Sequence, residues 1–297
     1  MSFTSTVKNE VSKLEINNIE KIAELNAILA NNAILEDNII KITTENASVS
    51  RRIFNLIKDL YHVIPNIIVR RSLNFNKKYL YILHIKNKNI DISNKIPEDY
   101  IIDDDESVRA YLRGVFLMSG SINDPKTSRY HLEFLVNDEK YAYFINDLLN
   151  KYNLNSKVLK RETKYMIYIK EAEKISDFLR IINAYNAVMY YEDIRIYRDH
   201  KNMTNRLNNC EQANVDKVIE TATKQIKDIE LINQVGLDLL DEKEQIVALY
   251  RLKYKDVSLL ELSEIISMET GKKITKSGIY HRFKKISELA DKLKEKM

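Results

Sequence analysis

Apolar positions along the first 185 residues follow two periods, helical and strand-like, in an order that occurs twice. Ile19 to Ala33 reads as an apolar-rich helix and Ile39 to Thr43 as a short strand, while Ala47 to Tyr61 sets Ile53, Leu56, Ile57 and Leu60 on one helical face. Two further strands are predicted, Ile67 to Leu73 and Tyr79 to Ile85, the second alternating with Tyr79, Tyr81, Leu83 and Ile85 to one side. The order then returns: a helix from Ser107 to Ser119, a strand from Tyr130 to Val136, and a helix from Glu139 to Tyr152 bearing Tyr141, Phe144, Ile145 and Leu148. Strands Ser156 to Arg161 and Tyr165 to Ile169 complete it. A repeat offset of about 85–90 residues is too long for a solenoid, and two copies are too few for a propeller. The pattern predicts a pseudo-symmetric α/β (α+β) domain, with two unrelated α+β stretches as the plainer alternative.

Beyond Phe178 to Tyr185 comes a polar passage, Arg195 to Asn209, and then a helical stripe of Val215, Val218, Ile219, Ala222, Ile226, Ile229 and Ile232, closed by Gly236. The stripe predicts a connecting helix with an apolar face to cover. Three more helices are placed by their end signals. The first opens with Asp241 and Glu244 and carries Ile246, Leu249 and Tyr250 on one side. The second opens with Ser258 and Glu261, which match a capping box. It buries Leu262, Ile265 and Ile266, and it ends near Thr270 before Gly271. Gly271 to Ile274 has the length of the turn in a helix-turn-helix. Thr275 can cap the third helix, with Ile274 and Ile279 as a hydrophobic staple.

Burying Ile279, Phe283, Ile286, Leu289 or Ala290, and Leu293 leaves Lys276, Ser277, Tyr280, His281 and Lys284 pointing outward from the N-terminal half of that helix. In a helix-turn-helix this half enters the major groove. Lys276, Arg282, Lys284 and Lys285 suit phosphates; Tyr280 and His281 suit base edges or sugars. Gly278 leaves room for a close backbone approach. A helical dimerisation module with a basic outer face would show the same charge pattern.

Charge sharpens the division. Of 47 basic and 43 acidic residues, the last 27 positions hold nine basic and three acidic, so the positive excess is confined to the tail and the rest is slightly acidic. The longest apolar or aromatic runs, Tyr79 to Leu83 among them, are far short of the ~20 residues of a spanning helix, and no signal-peptide core is present. Cys210 is the single cysteine, which excludes an internal disulfide and a thiolate zinc cluster. His62, His84, His131, His200 and His281 are scattered, and five glycines form no phosphate-cradling loop. These features predict a cytoplasmic protein without metal or cofactor.

Several segments together resemble the WhiA transcription regulators of Gram-positive bacteria. They are SFTSTVKNEV (2–11), TENASVSRRIFNLIKDLY (44–61), YLRGVFLMSGSINDP (111–125), NRLNNCEQAN (205–214), KQIKDIELI (224–232) and KSGIYHRFKKISELA (276–290), spread over nearly the whole chain in the family's order. The resemblance implies an N-terminal domain like that of LAGLIDADG homing endonucleases and a helix-turn-helix similar to sigma-factor region 4. It implies a role in sporulation or cell division and chromosome organisation.

Homing endonucleases end the first helix of each repeat with a carboxylate that holds a divalent metal beside the scissile phosphate. The corresponding positions here are Ser119 in LRGVFLMSG (Leu112 to Gly120) and Asn32 in the more eroded LNAILANNA (Leu25 to Ala33). Neither can supply the negative charge a hard cation needs. Glu36, Asp37 and Asp124 are the nearby acids that could substitute in an active endonuclease. Gly114 and Gly120, with Ala27 and Ala33 in the first repeat, suit close packing of the two helices. Arg51, Arg52, Arg70, Arg71, Lys77, Lys78, Arg195, Arg198 and Lys201 are candidate auxiliary phosphate contacts, with solvated surface as the alternative for each.

The expected organisation is a degenerate LAGLIDADG-like domain over 1–205, with repeats at about 1–95 and 100–185, a linker helix over 206–235, and an all-α helix-turn-helix domain over 236–297. Double-stranded DNA is the expected partner, in a nucleoid-associated regulator with no membrane or small-molecule substrate. The other two readings are a metal-dependent DNA endonuclease and an adaptor that binds RNA polymerase or another regulator.

Overall fold

In the computed structural model, which describes residues 2–71, 79–86, 90–127 and 129–295, the chain divides into two units, 1–199 and 200–297. The first unit opens with α1 (Phe3–Val11). One repeat follows: α2 (Asn18–Asn32), β1 (Ile34–Glu36), β2 (Ile39–Thr44), α3 (Ala47–Tyr61), β3 (Asn66–Arg71) and β4 (Tyr79–Ile85). The second has the same order: α4 (Asp105–Ser119), β5 (Gly120–Ile122), β6 (Leu132–Val136), α5 (Glu139–Lys151), β7 (Lys157–Arg161) and β8 (Lys164–Ile169), then α6 (Ala172–Ile181). Each repeat forms one antiparallel four-stranded sheet, ordered β1-β2-β4-β3 and β5-β6-β8-β7. Alternation sends Ile40, Ile42, Leu83 and Ile85 into the core from one sheet and Leu132, Phe134, Ile167 and Ile169 from the other. The pseudo-symmetric α/β domain expected from the pattern is what the chain forms.

α2 and α4 are both fifteen residues long, and both start with a capping box, Asn17 with Glu20 and Asp104 with Ser107. They pack along one another at the centre of the unit. Gly114 makes that approach possible, because a Cβ there would lie 2.4 Å from the Glu24 carbonyl oxygen and 2.8 Å from the Ala27 Cβ. Gly120 does not share this role. A Cβ there would strike Phe116 of its own helix, 2.3 Å from the ring, so Gly120 serves the exit of α4 into β5.

A charge cluster lies inside the same packing. Glu24, fully buried, accepts from Arg52 Nε at 2.7 Å, Arg52 Nη2 at 3.0 Å and Arg113 Nε at 2.7 Å, and Arg113 Nη2 reaches Glu20 at 3.3 Å. Arg52 also donates to the Leu14 carbonyl. α2, α3 and α4 are thus joined through one carboxylate.

The structure adds α1, β1, β5 and α6 to the predicted elements. α1 ties the repeats together: Thr4 Oγ1 donates to the Ile122 carbonyl at 2.8 Å and accepts from the Ile122 amide at 2.9 Å, while Asn46 Nδ2 donates to Asn9 at 2.9 Å. Its single helical face, Phe3, Val7 and Val11, is buried but too short to stand out as a period.

The polar passage Arg195 to Asn209 is not a break. It lies within α7 (Tyr185–Val235), whose first amides, Asn186 and Ala187, donate to the Glu10 carboxylate at 2.7 and 3.0 Å. The predicted linker helix therefore starts at Tyr185 rather than near residue 206. Polar residues suit an exposed helix as well as a loop.

In the second unit, Ala222, Ile229 and Ile232 of α7 are buried, whereas Val215 and Ile219, at the N-terminal end of the predicted stripe, are exposed. The other helices are α8 (Glu242–Lys253), α9 (Leu259–Thr270) and α10 (Lys276–Lys294). On α8 the buried face is Glu244, Val247, Ala248 and Arg251. Leu249, expected inside, is 55% exposed. Among the described residues no helix is long and apolar enough to cross a membrane.

Candidate nucleic-acid interface

The turn between α9 and α10 is fixed by side chains at both ends. Gly271 closes α9 at φ 70°, a left-handed conformation that glycine takes without strain. Ser267 Oγ accepts from the Ile274 amide at 3.0 Å, and Thr275 Oγ1 accepts from the Gly278 amide at 3.2 Å to cap α10. Ile274 packs on the core beside buried Ile279, and Phe283, Ile286 and Ala290 continue the buried face. Lys276, Ser277, Tyr280, His281, Lys284 and Lys285 are exposed, and Arg282 is half-buried. The Tyr280 and His281 rings meet edge to face, 5.8 Å between centroids.

Two of the exposed lysines have internal partners. Lys285 Nζ is 3.2 Å from Glu244 and 3.9 Å from Asp241, the acidic start of α8, and Lys284 is 4.0 Å from Glu288. Asp241 caps α8 by accepting the Glu244 amide at 2.7 Å, and this bond, with Lys285 nearby, holds its carboxyl below the ordinary value. α7 is anchored to α10 through buried Asp228, which accepts from Ser287 Oγ and Lys294 Nζ, both at 2.9 Å.

In the first unit, Asn32 and Ser119 are the last residues of α2 and α4, the equivalent ends of the paired helices. Both side chains are engaged locally: Asn32 Nδ2 donates to the Thr43 carbonyl and Ser119 Oγ to the Val115 carbonyl, each at 3.0 Å. A groove of about 1080 Å³ is lined by Asn32, Thr43, Met118, Lys8 and the acids Glu45 and Asp124, among others. Lys8, 5.6 Å above the Phe116 ring, has its amine lowered to about 8 by burial, with Glu45 opposing the shift. The groove thus carries an amine that burial makes easier to deprotonate, a feature the sequence reading missed because α1 itself was not recognised. Of the substitute acids, Glu36 pairs with Lys41, Asp37 sits in the β1–β2 turn at φ 51°, and Asp124 accepts from the Lys126 amide at 2.9 Å. No cluster of three potential metal ligands occurs among the described residues.

The auxiliary basic residues differ in how free their side chains are. Arg52 is withdrawn from the candidates, since it is buried on Glu24 and is held inside the helix packing. Arg195 pairs with Glu192 at 2.8 Å. Arg198 stacks 4.6 Å over the Tyr130 ring and donates to the carbonyls of Pro125 and Thr127 at 2.7 and 2.5 Å. Arg51, Arg70, Arg71 and Lys201 are exposed, and Lys77 and Lys78 lie outside the described residues.

Three family models match successive parts of the chain: the WhiA N-terminal LAGLIDADG-like domain over residues 18–100, the WhiA LAGLIDADG-like domain over 108–201 and the WhiA C-terminal HTH domain over 204–290. A protein of Staphylococcus carnosus (strain TM300) named "Probable cell division protein WhiA" is 40% identical over 310 aligned residues, covering 99% of this chain and 98% of its own. Its namesake in Staphylococcus aureus (strain JH9) matches at the same identity and coverage. Among solved structures, the full-length DUF199/WhiA protein of Thermatoga maritima superposes with a TM-score of 0.61 at 28% identity, covering 98% of this chain and 99% of that one. The N-terminal LAGLIDADG domain of DUF199/WhiA gives 0.54 at 26% identity, over 61% of this chain and 90% of that one.

Proposed function

Because this chain belongs to the WhiA family, we propose that it is a sequence-specific, double-stranded-DNA-binding transcription regulator that acts in cell division. The relatives' shared name supplies the cellular role, and sporulation and chromosome organisation are the neighbouring processes in which such a regulator would serve. One observation carries the molecular part. α10 is locked to the core by Ile279, Phe283 and Ile286, with Lys276, Ser277, Tyr280 and His281 exposed from its capped N-terminal half. Tyr280 and His281 read base edges or sugars; Lys276, Arg282 and Lys284 meet phosphates, and Lys285 does so on leaving Glu244. Duplex binding makes the protein nucleoid-associated. The LAGLIDADG-like domain contributes Arg51, Arg70, Arg71 and Lys201 as auxiliary contacts.

The proposed regulator is not a nuclease. The ends of α2 and α4 carry the amide of Asn32 and the hydroxyl of Ser119 in place of two carboxylates, and neither side chain supplies the negative charge that a divalent metal needs.

Selection of bound duplexes from a random library tests the reading. The full chain enriches one motif, and Tyr280→Ala with His281→Ala abolishes the enrichment while weak, salt-sensitive binding persists. An unchanged motif in the double variant overturns the assignment of α10. Plasmid nicking that requires magnesium or manganese and is lost on Asp124→Asn would restore the endonuclease reading.

A further inference from the structure

A recess of about 380 Å³ opens in the first unit where the connector between the repeats crosses α2 and the end of α3. It has the size of a small-molecule site. Its apolar lining includes Ile22, Leu25 and Leu29 of α2, Leu60 of α3 and Ile96 of the connector. Leu25 and Leu29 are buried, whereas Ile22 and Ile96 are each 43% exposed and offer apolar surface that a bound molecule would take out of water. Two aromatic rings complete the lining, the half-buried Tyr61 and the exposed Tyr100. Burial, with Tyr100 within electrostatic reach, holds the Tyr61 phenol above its ordinary value, so the ring stays neutral.

The charged groups of this recess are all of one sign. Asp91 and Glu98 line it, both are exposed, and among the described residues neither forms an ion pair. Asp91 Oδ1 accepts from the Ser93 amide at 2.8 Å, which fixes the carboxylate without neutralising it. The chain carries 47 lysines and arginines, yet no lysine, arginine or histidine is among the described residues that line the recess. Lys95 stands between the lining residues Asn94 and Ile96 and is not one of them. Asn26, half-buried on α2, adds an amide to the lining.

We propose that this recess binds a small organic cation, an ammonium group carried on an aromatic or aliphatic body. The apolar lining covers the body, the carboxylates of Asp91 and Glu98 meet the charge, and the tyrosine ring faces attract it. A neutral molecule of the same shape gains only the burial, and an anion is repelled by both carboxylates. The site is built for binding and not for chemistry, and its ligand is an effector of the domain that contains it. The inference does not depend on the reading of α10.

Calorimetric titration of the full chain near neutral pH tests it with three probes of one shape: phenethylamine, its neutral counterpart 2-phenylethanol and the anion 3-phenylpropanoate. Phenethylamine binds saturably at one site with a Kd of about 1 mM or below, at least about tenfold tighter than the alcohol, and the anion does not bind. Asp91→Asn with Glu98→Gln weakens the amine about tenfold, the combined worth of two exposed ion pairs. Tyr100→Leu weakens it about two- to fivefold. Glu162→Gln with Glu173→Gln, which removes the same charge from exposed positions elsewhere in the unit, leaves the affinity unchanged. All the replaced side chains are exposed, and each variant is compared once its melting curve matches the wild type. The proposal is overturned by an alcohol that binds as tightly as the amine, or by an amine that does not saturate the protein at about 10 mM. It is equally overturned by an affinity that survives loss of Asp91 and Glu98, or one that falls as far when Glu162 and Glu173 are replaced.

Discussion

Replacing Glu24 by glutamine probes the one carboxylate on which the centre of the first unit depends. Glu24 is fully buried and accepts three charge-assisted hydrogen bonds, two from Arg52 and one from Arg113. Glutamine keeps the shape but replaces one acceptor oxygen with an NH2 group that faces a guanidinium. It also leaves two buried cations with only the largely buried Glu20 nearby. Breaking a buried pair in this way costs about 3–5 kcal/mol, because the desolvation of the arginines is no longer compensated. For a unit of this size each kcal/mol moves the melting midpoint by about 2–4 °C, so the expected fall is roughly 6–20 °C. Thermal unfolding followed by circular dichroism on the full chain measures it. Replacing Glu24, Arg52 and Arg113 together by apolar residues of similar volume is expected to recover most of the loss. A Glu24→Gln variant that melts within about 2 °C of the wild type would refute the reasoning, since the cluster would then be hydrated or redundant.

Gly114→Ala is expected to destabilise by about 1–3 kcal/mol, despite the helix propensity alanine adds, because the new methyl meets the Glu24 carbonyl at 2.4 Å. Urea denaturation checks this. Ala27→Gly in the same background should rescue little, since the closest obstruction is backbone. In the second unit, the Asp241 cap bond sets a pH dependence. Its folded-state carboxyl titrates below the ordinary value of 3.8, so the stabilisation is present above that value and is lost as pH falls through the lower, folded one. Unfolding of wild type and Asp241→Asn compared from pH 7 downward should show the difference between them vanishing in that acid range. A gap that persists at the lowest pH would exclude the charge as its source.

Much of the fold was legible because many elements of each repeat bury one face. Alternating residues in β4 and helical spacing in α3 and α5 reflect a single boundary between core and solvent, and that boundary writes a period into the sequence. The helix-turn-helix was legible through its ends: Ser258 with Glu261, Gly271 and Thr275 act on backbone groups within a few residues, so their meaning is local. α8 was read less well. Its buried face includes Glu244 and Arg251, so an apolar count placed Leu249 inside instead.

The basic residues show the same divide. Composition treats Arg51 and Arg52 alike, yet one is exposed and the other is buried on Glu24, 28 positions earlier in the chain. No local rule announces such a pairing. The burial of Arg251 was missed for the same reason.

The sequence by itself determined the repeat, the two helix ends without carboxylates, and a capped helix with one apolar and one polar face, because each follows from residue type and spacing along a few turns of chain. Only the tertiary structure decided which charges are spent internally and which remain for a partner. Burial and pairing depend on distant segments meeting, and a guanidinium that has a carboxylate at 2.7 Å in a dry core has no charge left to offer a phosphate.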